Sequence, residues 1–189
     1  WHAAGVLADG VLAQQTVGAL ARVYAAKAHG GWTLQRACAP AALRACALFS
    51  SVAALLGGAA QANYSAANAC LDALASCRRT QSLAASSVQW GAWAEVGMAA
   101  RGKASERMAA MEAASGFGRI GLAQGLSALG AAALPRAPFL LGVVPVQWQR
   151  MLRDGVVPAF LCLMVAPSAR ARVSSASAQG VVSTISLEA

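Results

Sequence analysis

The chain has 189 residues, 58% of them hydrophobic and 12% charged, which is too apolar for a disordered chain and long enough for one cored domain with a tail. Its 15 basic and 7 acidic residues give a net charge of +8. The basic residues are scattered, with Arg78-Arg79 the only adjacent pair, so the basic stripe of a nucleic-acid module is absent.

In chain order, apolar residues of 11–28 (Val11, Leu12, Val17, Leu20, Val23, Tyr24) recur at helical spacing, and Gly30-Gly31 follows as a breaker. Residues 44–50 form a short apolar run that predicts a buried strand opening at Ser50-Ser51 into a loop punctuated by Gly57-Gly58. Residues 62–79 predict a helix, with the cations Arg78-Arg79 complementing its dipole. Ser86 to Trp90 predicts the next strand, stopped by Gly91. After a looser region over 93–104, helices are predicted over 106–114 and 122–134, a last strand over 139–145 and a closing helical turn over 146–152. Strands alternating with helices predict an α/β fold, a mostly parallel, doubly wound sheet that binds ligands at the carboxyl ends of its strands. Beyond Asp154 the alternation stops, and residues 173–180 are small and polar, as in a linker. The apolar stretch Val156 to Val165 contains Pro158 and is about half the length of a membrane span, so no membrane segment is expected.

The five cysteines (Cys38, Cys46, Cys70, Cys77 and Cys162) have no Cys-x-x-Cys spacing and read as small buried hydrophobes in a reducing compartment. His2 and His29 are the only histidines, so no metal site is expected. The start at Trp1-His2, without an initiator Met or a signal pattern, reads as a fragment, and a cytoplasmic location is expected.

Gly116-Phe117-Gly118-Arg119-Ile120-Gly121 matches the dinucleotide fingerprint letter for letter. The fingerprint needs a strand before it, whereas Met108 to Ala114 reads as helix, and no acidic residue lies about 20 positions on. An inter-helix turn is expected instead.

Four other residues carry the chemistry. Tyr64 and Asn68 are one helical turn apart and share a face, Ser51 lies just past a strand end, and Lys27 closes the preceding helix. A phenol with a pKa near 10 is a poor acid at neutral pH unless a cation favours the phenolate. Lys27 offers that charge, and Ser51 a hydrogen bond to a carbonyl oxygen as it gains negative charge.

These residues, with their neighbours, resemble the ketoreductase domains of modular polyketide synthases, a branch of the short-chain dehydrogenases/reductases. His2-Ala3-Ala4-Gly5-Val6-Leu7 is similar to the segment after the family's fourth strand, Leu48-Phe49-Ser50-Ser51 to its serine strand, Gln61 to Ala69 to its tyrosine helix, and Trp90-Gly91-Ala92-Trp93 to the strand end beside the nicotinamide. The spacings agree as well: Ser51 follows Lys27 by 24 residues, Tyr64 follows Ser51 by 13, and Asn68 follows Tyr64 by 4. The resemblance covers residues 1–153 and implies a Rossmann-like sheet, N-terminally truncated, with 154–189 as a linker towards an acyl-carrier domain.

The resemblance implies NADPH-dependent reduction of a β-ketoacyl thioester, borne on the phosphopantetheine arm of an acyl-carrier protein within the rest of the synthase. Most short-chain dehydrogenases place the lysine four residues after the tyrosine. In polyketide-synthase ketoreductases Lys and Asn exchange places, so Lys27 and Asn68 fit the active pattern. Tyr64 is then the general acid, Lys27 lowers its pKa and holds the nicotinamide ribose, Ser51 polarises the ketone, and Asn68 orders a proton relay. Ala3, Ala4, Gly5, Trp90, Gly91 and Ala92 complete the implied cofactor contacts, and Asp9, Leu56 and Met98 the implied stereocontrol. Leu7-Ala8-Asp9 is similar to the Leu-Asp-Asp element of ketoreductases that form the D-configured alcohol, with Ala8 in place of the middle Asp. The opposite class carries Trp where Leu56 stands. The family's glycine-rich phosphate loop falls before Trp1, so the isolated chain is expected to bind NADPH weakly and reduce ketones poorly. The alternatives are a non-catalytic remnant of a megasynthase and, less favoured because of the Lys/Asn exchange, a stand-alone dehydrogenase.

Overall fold

The computed structural model describes residues 1–97, 116–151 and 181–186. Met98, Cys162, the helix expected over 106–114 and the linker expected over 173–180 lie outside the described residues. The elements run α1 (Val17–Tyr24), a π-helical turn (Ala25–His29), α2 (Gly30–Ala37), β1 (Ala47–Ser51), α3 (Ala53–Leu56), α4 (Ala62–Thr80), β2 (Ser86–Trp90), α5 (Leu122–Ala132), β3 (Leu140–Val146), α6 (Trp148–Met151) and β4 (Val181–Ser186). The sheet has the order β1-β2-β3-β4. β1 pairs with β2, and β2 with β3, in parallel. The helices between consecutive strands supply the crossovers that parallel pairing requires, and the result is Rossmann-like. Strand β4 falls within the stretch expected to be linker.

Two compact units divide the chain: Trp1–Gly91 with Ala123–Val143 and Ser186–Ala189, and Ala92–Leu122 with Val144–Ile185. In the first unit, the parallel register sets Ser51 opposite Trp90, and Trp90 opposite Val143. The carboxyl ends of β1 and β2 are therefore level, at the edge where such sheets bind ligands. His2 adds a further parallel rung beside Leu48.

Helix α4 organises this unit. Its buried positions Tyr64, Ala67, Asn68, Leu71, Leu74, Ala75 and Arg78 recur every three or four residues, the stripe of a helix packed on a sheet. Leu71, Leu74 and Ala75 meet Leu48 and Ala85 in one core cluster, and Tyr64 and Ala67 meet Val23 and Ala53 in another. Each fully buried Leu stabilises the fold by about 1.5–3 kcal/mol. Arg78 and Arg79 lie in the last turn of α4, as expected. Arg78 is buried and donates to Gln35 on α2 and to the Ala84 carbonyl.

The first helical stretch departs most from expectation. Helix begins at Val17, where the Thr16 hydroxyl accepts from the Ala19 amide, and it passes through Gly30-Gly31 instead of breaking there. A Cβ on Gly31 would lie 2.7 Å from Leu71 Cδ2, so glycine here allows a close approach of α2 to α4. The described cysteines are free; Cys38 and Cys46 are half-buried, whereas Cys70 and Cys77 are exposed and so are not the core residues expected.

In the second unit, the glycine run 116–121 carries isolated bridges, Phe117 to Val146 and Ile120 to Trp93, and the helix expected before it lies outside the described residues. The Gly118 amide donates to the Pro145 carbonyl, and a Cβ on Gly116, which has a φ of +77°, would meet the Gln147 carbonyl at 2.8 Å. These glycines allow close backbone packing. Among the described residues, no helix is long and apolar enough to cross a membrane, and no cluster of His, Cys, Asp and Glu is placed to hold a metal ion.

Candidate active site

Lys27 lies in the π-helical turn between α1 and α2, a departure from α geometry often found at functional sites. The side chain is 4% exposed. Its Nζ donates to the Phe49 carbonyl on β1 at 2.8 Å and stands over the Tyr64 ring, 5.3 Å from the centroid. That is within the range of a cation–π contact, worth about 0.5–2 kcal/mol. Burial pulls the Lys27 ammonium down to about 8, and the Asp72 carboxylate opposes this.

Helix α4 supplies the facing side chains. Asn63 lies in its first turn, its Oδ1 accepting from the Tyr64 amide at 2.7 Å and its Nδ2 donating to the Ala8 carbonyl. Tyr64 is buried, and Asn68, one turn on, is fully buried, its Nδ2 donating to the Tyr64 carbonyl at 2.8 Å. One further turn on, Asp72 accepts from Ser87 Oγ at 2.6 Å and from Gln89 Nε2 at 2.8 Å. Tyr64, Asn68 and Asp72 thus follow one face at intervals of four, and Asp72 is tied to β2.

Successive strand residues point to opposite faces, which separates the two serines of β1. Ser50 is buried and its Oγ donates to the Asn68 carbonyl at 3.3 Å, whereas Ser51 Oγ accepts from the Ala53 amide at 3.2 Å. The Phe49 and Trp90 rings lie 5.5 Å apart across the β1–β2 pair. Asp9 is exposed and accepts from Gln61 Nε2 at 3.3 Å, while the Gly10 amide donates to the Ala60 carbonyl, so residues 8–10 are tied to the start of α4. Ala3 and Ala4 are exposed beyond the His2 rung, and Gly5, Leu56 and Gly91 are half-buried. Ala92 belongs to the second unit.

One expectation is corrected. Lys27 was expected to lower the Tyr64 pKa, but burial pushes the phenol above its ordinary 10, Asn68 and Ser51 pull it back only in part, and Asp9 adds a push upward. The reason is desolvation of the phenolate, which outweighs the hydrogen bonds that favour it. The phenol therefore holds its proton at neutral pH, as a general acid must before it reacts.

Against known proteins, the family model of the KR domain matches residues 1–95. The polyketide synthase GfsB of Streptomyces halstedii is 40% identical over 177 residues, covering 93% of this chain and 3% of that protein. The chain belongs to the ketoreductase domains of polyketide synthases. A phthioceranic/hydroxyphthioceranic acid synthase of Mycobacterium tuberculosis is 48% identical over 96 residues, covering 51% of this chain and 4% of that protein. An A-type ketoreductase from a modular polyketide synthase superposes with a TM-score of 0.78 at 34% identity, covering 90% of this chain and 35% of that one. The first ketoreductase of the tylosin synthase gives 0.72 at 34% identity, with coverage of 90% and 37%. The chain thus spans about a third of the solved ketoreductases and a few per cent of the curated synthases.

Ketoreductases of this short-chain dehydrogenase type use nicotinamide cofactors, and the donor set here fits the nicotinamide-ribose end of one. Lys27 has ammonium protons to spare beyond its bond to Phe49. Asn68 Oδ1 is a buried acceptor without a partner among the described residues, a costly state unless another group meets it. Asp72 escaped the sequence reading. Its signal was an acid on an apolar helix, four residues after Asn68 and eight after Tyr64.

Proposed function

We propose that this chain is the catalytic part of a ketoreductase that reduces a β-ketoacyl thioester, held on the phosphopantetheine arm of an acyl-carrier protein, to the β-hydroxyacyl thioester with NADPH. The observation that carries this reading is the buried Lys27 ammonium over the face of the Tyr64 ring. Tyr64, kept protonated by burial, gives its proton to the ketone oxygen as charge develops there. Ser51 orients that oxygen by a hydrogen bond. Lys27, held by Phe49, binds the ribose hydroxyls with its remaining protons, and Asn68 turns its unpaired Oδ1 to the proton relay. Ala3, Ala4, Gly5, Trp90 and Gly91 line the cofactor, and Asp9 and Leu56 set the face of the ketone that reacts. NADPH supplies the hydride when bound.

Tyr64→Phe in the intact parent synthase tests this reading. Reduction of a carrier-bound β-ketoacyl thioester is expected to fall by about 10²–10⁴-fold, the range for a lost general acid, while NADPH binding, followed by fluorescence, persists. Undiminished reduction would remove Tyr64 from the role, and an inactive parent with Tyr64 intact would favour a non-catalytic remnant.

A further inference from the structure

The π-helical turn that carries Lys27 is held from outside the helix. A π-turn inserts one extra residue into a helix and is rare. Here the Lys27 carbonyl is met by His2 Nε2 at 3.1 Å, from a residue 25 positions earlier in the chain. A carbonyl can only accept, so this nitrogen carries the proton.

His2 is itself fixed. Its amide donates to the Ala47 carbonyl at 2.9 Å, its carbonyl accepts from the Phe49 amide at 2.8 Å, and it is buried. The contacts close a circuit of three residues: the His2 ring holds the Lys27 carbonyl, the Lys27 ammonium holds the Phe49 carbonyl, and the Phe49 amide holds the His2 carbonyl. The Gly30-Gly31 pair makes room for the imidazole. A Cβ on Gly30 would lie 3.0 Å from His2 Cε1, and one on Gly31 would lie 3.5 Å from His2 Cδ2.

From this circuit we propose that His2 is a positioning residue for the reaction, which stabilises the π-turn and so sets the direction in which Lys27 enters the site. Were the turn to revert to α-helix, the loss of one residue of offset would rotate the Lys27 side chain by about 100° around the helix axis, away from Phe49 and Tyr64. The proposal rests on the ketoreductase reading for the purpose of Lys27, whereas the contact itself is tested without substrate or cofactor.

The chain has only two lysines, Lys27 and Lys103, so ε-13C-lysine NMR follows each ammonium, with Lys103→Arg assigning the signals. In the wild-type chain, burial is expected to hold the Lys27 titration down at about 8. In His2→Leu it is expected to move up towards the ordinary lysine value of about 10.4, as the side chain reaches water. In His2→Gln, whose amide nitrogen can stand where Nε2 stands, it is expected to return towards the wild-type position. An unchanged titration in His2→Leu overturns the proposal, and so does a His2→Gln variant indistinguishable from His2→Leu, which would leave the imidazole as filler only. Should His2→Leu fail to fold, Gly30→Ala, which crowds the ring at Cε1, replaces it: an upward shift supports the proposal and an unchanged one overturns it. A chain that passes this test while the parent synthase fails to reduce ketones would retain the positioning contact and lose the function assigned to it.

Discussion

Two helical stretches supply the site, and they hold their polar residues by different means. Along α4, Tyr64, Asn68 and Asp72 fall on one face because a regular helix repeats at intervals near four. Along Val17–Ala37 the regular period is interrupted at Ala25–His29, and Lys27 is directed by His2 and Phe49, residues remote in sequence. The contrast teaches that a functional face can be a local property of one helix and a tertiary property of its neighbour. It also predicts that disturbance from outside the helix reaches Lys27 more readily than it reaches Tyr64.

The sharpest way to break the contrast is at the glycines of the first stretch. Gly31→Ala places a methyl group 2.7 Å from Leu71 Cδ2 and is expected to destabilise by about 1–3 kcal/mol, the cost of overpacking. Gly18→Ala, in exposed α1 where the nearest atom to a new Cβ is Thr16 Oγ1 at 4.0 Å, is expected to stabilise by about 0.5–1 kcal/mol through backbone entropy. Urea midpoints of the two variants therefore move in opposite directions. Equal shifts would remove the claim that Gly30-Gly31 exists for close approach.

The next test acts from the α4 side. Asp72→Asn removes the carboxylate that supports the Lys27 charge, so the Lys27 titration is expected to fall below about 8. The same ε-13C-lysine signal reports it, and an unchanged titration would show that Asp72 has no such influence.

The smallest effect is on stability against pH. Lys27 has a folded pKa of about 8, below the unfolded value of about 10.4. Between these values the unfolded chain binds more protons than the folded one, so stability rises with pH across the window. Below about pH 8 the full cost of burying the charged ammonium remains. Denaturant midpoints measured from pH 8 to pH 10 should climb in the wild type and climb less in Lys27→Met. Identical slopes would mean that Lys27 is solvated in the folded chain.

Much of the fold was legible because strands and regular helices are local patterns. The run Ser86 to Trp90 is β2 as expected, and the helix expected over 62–79 is observed as Ala62–Thr80. Lys27, Ser51, Tyr64 and Asn68 could be singled out from their places at helix and strand ends, and the family motifs added their spacing. What stayed hidden depends on contacts between distant residues. Gly30-Gly31 reads as a breaker unless Leu71 and His2 are known to press against it. Arg78 reads only as a cation complementing the helix dipole, with no sign that it is buried against Gln35. The fingerprint-like run 116–121 gives no sign that its glycines meet Pro145 and Gln147.

By itself, the sequence determined the alternation of strands and helices, the shared face of Tyr64 and Asn68, and membership of the ketoreductase family. These follow from the periodicity of side chains along a regular backbone and from motifs kept in one order. Only the tertiary structure decided that Lys27 sits in a π-turn over the Tyr64 ring, that burial leaves its ammonium near 8, and that the Tyr64 phenol lies above its ordinary value instead of below it. Charge state and side-chain direction at a buried site are set by desolvation and by partners far away in the chain, and neither is written in the local pattern.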